Sequence, residues 1–463
     1  MRRFDMKIAL LGCVAAVALS GPAFAQELTA ITGGKVLTGT SVIENGTVVF
    51  SGGRVVSVGT GPAPAGARII DATGKTVAPG FVAVDSGLGA SEVSSVQGSN
   101  DQTSTANTIS ASFDVSYGLD PWSFTLPVAR LGGITRAVVV PNHAGSGDGN
   151  HRDDGDDDFA GLGGGGLTSP GLFAGQAAVI SLAASSAGGG TDILVKPRVA
   201  MVAPFGEAGA SVAGGARGAE FTLFKETLAE VRLYARNKAA YDRAGLRDLS
   251  LSRADLEALI PVADGTMPLI VTVHRASDIQ QVLRLASEEG VKVILDGAEE
   301  GWLVATQIAA ANVPVLLNPI ANLPGDFETR AARMENAAAL NAAGVVIAIK
   351  GNEGSIHRAR EMRYNAGNAV SHGLPYAAAI AAMTVNPAKI FGEAGQFGEL
   401  TPGAAADVVV WSGDPLEPLS TATAVFIDGQ EQPLTSRQFE LRDRYRGGRN
   451  GVQPNGMPFA YSH

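Results

Sequence analysis

The sequence predicts an α/β protein: a (β/α)8 TIM barrel carrying a small β-sandwich domain built from both ends of the chain. Two observations predict it. Between residues 267 and 352, short apolar runs alternate with amphipathic stretches, the rhythm of parallel βα units. On either side, at 28–75 and 396–430, the pattern is of strands alone. The 463 residues are enough for one large barrel and one smaller domain.

In chain order, "VIENGTVVFSGGRVVSVG" reads as short strands, with hairpin signals at Asn45-Gly46 and Gly52-Gly53. "TVAPGFVAVDSGLG" reads as a buried strand running out into polar residues and glycine. "PLIVTVH" is a strand and "RASDIQQVLRLASEEG" a helix, with Ser277 placed to cap it and Gly290 to end it. "VKVILDG", "VPVLLNP" and "VVIAIKGN" are the next strands, and a helix before the last closes on Gly344. The strand patterns then return in "FGELTPGAAADVVVWSGDPLE" and "AVFIDGQ". The expected division is a leader at 1–25, the β-sandwich at 26–75 and 396–432, the barrel at 76–395, and a basic tail at 433–463.

The leader reads as a secretory signal peptide. Arg2, Arg3 and Lys7 precede the apolar run Ile8 to Leu19, and Ala23 and Ala25 occupy the small positions of a cleavage site. The run is too short to span a membrane. Lipobox (Cys13) and twin-arginine readings fit less well, the second because of Asp5. The expected location is therefore the periplasm. Cys13 is the one cysteine, so the mature chain has neither a disulfide nor a thiol nucleophile. The chain has 35 basic and 45 acidic residues, net −10; losing Arg2, Arg3, Lys7 and Asp5 leaves 32 and 44, net −12. That balance argues against a nucleic-acid surface. No later stretch is apolar enough to span a membrane.

Residues 143–166, "HAGSGDGNHRDDGDDDFAGLGGGG", are the low-complexity stretch. Its acidic cluster could hold calcium, but the spacing is not that of an EF-hand, and a solvated, mobile loop is expected. The Gly-rich pieces do not follow phosphate- or dinucleotide-binding spacings.

Several stretches resemble the amidohydrolase superfamily, most closely its exported, imidazolonepropionase-like members. Pro79-Gly80-Phe81 sits where the family has Pro-Gly-Phe-Ile-Asp-x-His-x-His. "LGGITRAVVVPNHAGSG" is similar to its Gly-Gly-Val-Thr-Thr stretch. Thr384, Asn386, Pro387 and Ala388 fit its Thr-x-Asn-Pro-Ala element, and Gly398, Leu400, Gly403, Ala406 and Asp407 its closing Gly-x-Leu-x-x-Gly-x-x-Ala-Asp. The resemblance implies one or two divalent metals at the C-terminal mouth of the barrel, generating hydroxide at neutral pH to hydrolyse a C–N bond in a small amide or dipeptide.

The ligand positions that the resemblance implies are all changed. His-x-His becomes Asp85-x-Gly87, and His-Ala-His-Arg-Ala becomes Thr272-Val273-His274-Arg275-Ala276. His-Gly-Thr-Glu becomes Asp296-Gly297-Ala298-Glu299, and the last strand's aspartate becomes Asn352, with Glu353 beside it. No lysine between 200 and 215 could bridge two metals. Of the six histidines, His143, His274 and His357 are candidates for the mouth, whereas His151, His372 and His463 lie elsewhere. The candidate catalytic residues are thus Asp85, His274, Asp296 and Asn352. Asp85, Asp296 and His274 are the candidate ligands of one divalent cation, or of none. Lys350, two residues before Asn352, shares its side of the strand and could replace a metal's charge, although a surface lysine is the commoner case. Two functions stay open: a C–N hydrolase with an altered, metal-poor site, and an inactive homologue that binds a small molecule or supports a partner. The expected partners are a small-molecule ligand and a second copy or a metal-complete relative, with tail residues Phe439, Leu441 and Tyr445 among arginines as the candidate contact.

Overall fold

The computed structural model describes residues 28–446 apart from 94–95, 105, 107, 144–170, 185–191 and 353–355. The leader, most of the acidic stretch, Glu353, His151 and the end of the tail lie outside the described residues.

One eight-stranded sheet interleaves the two ends of the chain. Its strands are β1 (Thr29–Leu37), β2 (Val42–Ser51), β3 (Arg54–Gly59), β4 (Arg68–Asp71) and β5 (Thr76–Pro79) from the first part. From the last part come β14 (Val408–Trp411), β15 (Ala422–Ile427) and β16 (Gln430–Glu431). The order is β16-β15-β14-β5-β1-β2-β3, with β4 also on β1. The antiparallel β5–β14 pair, from Thr76 opposite Trp411 to Pro79 opposite Val408, joins the two contributions. Val36, Val77, Val408 and Phe426 pack together beneath it.

Gly52-Gly53 makes the β2–β3 turn, at φ 56° and 80°. Asn45-Gly46 makes no turn. It sits within β2, where the register against β1 slips between Gly34–Gly46 and Val36–Ile43, so the pair forms a bulge. Asn45 supplies the left-handed φ of 51°, and a Cβ on Gly46 would lie 2.6 Å from Val36 Cγ2.

The barrel strands are β6 (Phe81–Ser86), β7 (Ile134–Val139), β8 (Gly175–Ser181), β9 (Leu194–Pro204), β10 (Leu269–Val273), β11 (Val293–Gly297), β12 (Val315–Leu317) and β13 (Ile347–Ile349). They are hydrogen-bonded in chain order, so β6 and β13 are the end strands and face each other across a seam. Strand β8 departs from a regular (β/α)8 pattern by running antiparallel to both neighbours. The chain re-enters it at the mouth, beside His143, and returns through β9.

Alternation builds the rest. Val82, Val84, Val138, Ile270, Ile294, Leu316 and Ala348 fill the lumen. Their neighbours Phe81, Ala83, Ala137, Val271, Leu295 and Ile349 pack outward under the helices. The helix Ala276–Glu289 ends on Gly290 at φ 68°, as expected. Its start is not capped by Ser277, which lies inside the first turn; the Ala276 N–H donates instead to Glu300 Oε2, 3.0 Å away on the next loop. At the other end of the chain, the helix Arg437–Arg446 begins the tail, and Phe439 faces Val128 and Leu131 across a small cavity.

A polar cluster at the barrel mouth

The same alternation selects the residues of the mouth. Thr272 and His274 continue the inward parity of Ile270, Asp296 that of Ile294, and Lys350 that of Ala348. Asp85 has the outward parity of Phe81 and Ala83. It is turned back by a register shift between Ala83 and Ser86, with its own φ at 49°. A left-handed aspartate at a bulge is the kind of local strain that re-aims a side chain.

Lys350 is the hub. Its ammonium donates to Asp85 Oδ2 at 2.7 Å and to Asp296 Oδ1 at 2.8 Å. The lysine side chain is only 5% exposed and that of Asp296 7%. Thr272 Oγ1 lies 3.4 Å from the second Asp296 oxygen. One buried cation thus faces two carboxylates, and the Asp85 bond crosses the seam between β13 and β6.

His274 is held separately. Its Nδ1–H donates to Glu299 Oε2 at 2.6 Å. The ring crowds the β11 turn so closely that a Cβ on Gly297, at φ 89°, would lie 2.6 Å from Nδ1. Burial works against the charged imidazole, but Glu299's charge and hydrogen bond, with Glu328 and Asp296 further off, outweigh it and raise the pKa to about 9. With Nδ1 committed to Glu299, only Nε2 of the ring is left for a further partner.

Asn352 donates to Glu361 and accepts from Asn365 Nδ2 at 3.0 Å; Asn365 also reaches the Lys350 carbonyl and Asn318 Oδ1. Asn352 therefore belongs to an amide network behind Lys350. The position of Gly87 is filled by a neighbour: a Cβ there would lie 2.3 Å from Gln102 Oε1 and 2.6 Å from Ile356 Cδ1. Gln102 in turn donates to the Val140 carbonyl at 2.7 Å. His143, at the end of β7, donates from Nε2 to the Gly171 carbonyl at 2.6 Å, and burial lowers its pKa. His357 is exposed beside the tail helix.

Of the residues expected at the site, Asp85, Asp296 and Lys350 are thus in direct contact, and His274 and Asn352 flank them with partners of their own. Glu299, Gln102 and Asn365 were not expected as participants. Only the motif position of Glu299 was visible beforehand. The residues do not suit a catalytic divalent metal: the space between the two carboxylates holds an ammonium, and one histidine position is glycine packed by glutamine. Among the described residues, no group of three or more His, Cys, Asp or Glu side chains is arranged to hold one.

The His274–Glu299 pair makes stability depend on pH. Its folded pKa of about 9 lies above the ordinary 6.5. The contribution is therefore complete below about pH 6.5 and is lost as pH rises through about 9; it amounts to about 2–3 kcal/mol. Urea unfolding at pH 6.5 and 9.5 should show a loss of that order in the wild type and a much smaller one in Glu299→Gln. Equal losses in the two proteins would refute the pairing.

Comparison with known proteins gives a consistent result. Residues 235–434 match the model of the amidohydrolase family. An amidohydrolase, tasK, of Hapsidospora irregularis is 35% identical over 81 residues, which is 18% of this chain and 8% of that much longer protein. The crystal structure of an amidohydrolase from Thermotoga maritima MSB8 superposes with a TM-score of 0.73 at 25% identity, covering 88% of this chain and 100% of that one. Molinate hydrolase, at 18% identity and a TM-score of 0.50 over 88% of this chain and 95% of its own, shares the fold.

Proposed function

We propose that this chain is an exported member of the amidohydrolase superfamily whose barrel binds a small polar molecule without a catalytic metal. The observation that carries the proposal is Lys350, buried between Asp85 and Asp296 at 2.7 and 2.8 Å.

The family's reaction, hydrolysis of a C–N bond in a small amide or dipeptide, relies on a metal that binds and activates water and polarises the carbonyl. In this mouth a fixed ammonium takes the metal's electrostatic place. It balances two carboxylates, but with both engaged it offers no hydroxide. Asp85 and Asp296 in turn spend an oxygen each on Lys350. What remains for a ligand is a polar rim on strand ends, with the His274 imidazole held by Glu299 and amides held by Asn365. Such a rim orients and retains a ligand by hydrogen bonds.

The test uses mature protein recovered from the periplasm, expected to begin at Gln26. Its zinc, manganese and cobalt content should be far below one per chain. Chelator should leave its thermal midpoint unchanged within a degree or two, because binding of a metal to the native state alone would raise it. Dipeptides and N-acyl amino acids should be hydrolysed no faster than by buffer, with or without added metal. Stoichiometric metal together with chelator-sensitive turnover would replace this reading with C–N hydrolysis. Turnover that instead needed Asp85, His274 and Asp296 but no metal would point to hydrolysis by these side chains.

A further inference from the structure

At the opposite end of the barrel, where β9, β10, β11 and β12 begin, lies a cavity of about 840 Å³. Its depth is apolar: Val199, Val293 and Phe391 are all buried in its wall. Its edge is cationic. Lys196, Arg198, Lys292 and Lys389 line it, and no aspartate or glutamate does. In a chain with net charge −10 this concentration runs against the overall field.

The four cations are not equally engaged. Lys196 donates to Glu393 at 2.7 Å and is neutralised. Arg198 lies 3.8 Å from Asp114, too far for a direct hydrogen bond. Lys292 and Lys389 are exposed and have no ion pair among the described residues. Asp264, the nearby acid on the loop before β10, is turned onto Thr266, bonding its N–H and hydroxyl. Arg198 also holds an uncommon backbone conformation for its type, φ 53°, within β9 beside the irregular β8 pairing. Such a conformation costs of order 1–3 kcal/mol and is maintained only where the surroundings impose it.

A wall that is apolar at depth and cationic at the edge matches a ligand with the same division. A cavity of this size lies within the range of small-molecule sites. We propose that this end of the barrel binds an amphipathic anion, an acidic headgroup on a short alkyl body, with the headgroup received by Lys292, Lys389 and Arg198. The site is distinct from the mouth, so its fate is independent of the proposed function.

Titration calorimetry with decanoate, decyl phosphate and inorganic phosphate, on wild type and on the Lys292→Ala/Lys389→Ala double variant, tests this. Both replaced side chains are exposed, so the variant should keep the wild-type thermal midpoint. Decanoate and decyl phosphate, below their micelle concentrations, should each saturate one site. The affinity should fall at least tenfold in the double variant and also fall with added salt. Inorganic phosphate should bind at least tenfold more weakly, because it leaves the apolar wall uncovered. Which of the two amphiphiles binds more tightly identifies the headgroup. Absence of saturable binding would overturn the proposal. So would equal affinity in wild type and variant, or inorganic phosphate binding as tightly as decanoate.

Discussion

Replacing Lys350 by methionine should destabilise the protein by about 3–5 kcal/mol, the cost of removing one partner from a buried ion pair. The lysine side chain is 5% exposed, and it bonds two carboxylates. Methionine fills the same volume and removes only the charge, so packing loss is minimised. Asp85 and Asp296 would then face each other across a position without a cation. The damage should be general, since Asp85 and Lys350 stand on the two end strands of the barrel and their bond spans the seam. The variant also makes a second measurement available. Two carboxylates freed of their ammonium form a hard oxygen site, and millimolar manganese or magnesium should recover part of the lost thermal midpoint. The wild type, with its own cation in place, should show no such response. A Lys350→Met protein within about 1 kcal/mol of the wild type would sink the claim that this ammonium holds the mouth together.

The parity that places Lys350 was readable in the sequence. Ile270, Thr272 and His274 alternate with Val271 and Val273, so the inward set follows from counting by two. Ala348 and Lys350 obey the same count. What counting could not supply was the partners. A lysine at a strand end is as readily a surface residue, and it becomes a buried cation only when two acids from distant strands meet it. One of them, Asp85, reaches it through a bulge that breaks parity, and a bulge depends on its neighbouring strand as much as on its own residues. The reversal of β8 was hidden for a similar reason. Direction is set by where the chain re-enters the sheet, and the stretch before β8 is glycine and aspartate without a periodic signal. The Asn45-Gly46 pair misled because the same left-handed preference serves a turn and a bulge equally. By contrast, the closing Ala-Asp motif was legible as a family signature, but its physical purpose needed the contact with Arg136.

That contact makes the second large prediction. Replacing Asp407 by alanine should also cost about 3–5 kcal/mol. Arg136 on barrel strand β7 donates from Nε to Asp407 Oδ2 at 2.6 Å and from Nη2 to Oδ1 at 3.1 Å. The two side chains are 6% and 1% exposed. The fork geometry fixes the orientation of β7 against the start of β14, so the pair couples the barrel to the second sheet. Asp428 also accepts from Arg136 Nη2, at 2.7 Å, but its side chain is 53% exposed. Asp407 does one thing more: its Oδ1 accepts the Asp428 N–H at 2.9 Å, in the β15–β16 turn where Asp428 has φ 48°. Alanine at 407 therefore leaves a buried guanidinium with one solvent-facing partner and removes the acceptor that orders that partner. Alanine at 428 removes only the exposed half and should cost less than about 1 kcal/mol. Asparagine at 407 keeps an acceptor but loses the charge, and should fall between them. Urea unfolding of the three variants reads this order directly. If Asp407→Ala and Asp428→Ala were equally mild, the coupling of barrel and sheet would rest instead on other contacts, such as Phe81 against Trp411, whose rings lie 5.5 Å apart, and Arg363 on the Pro415, Glu417 and Ser420 carbonyls.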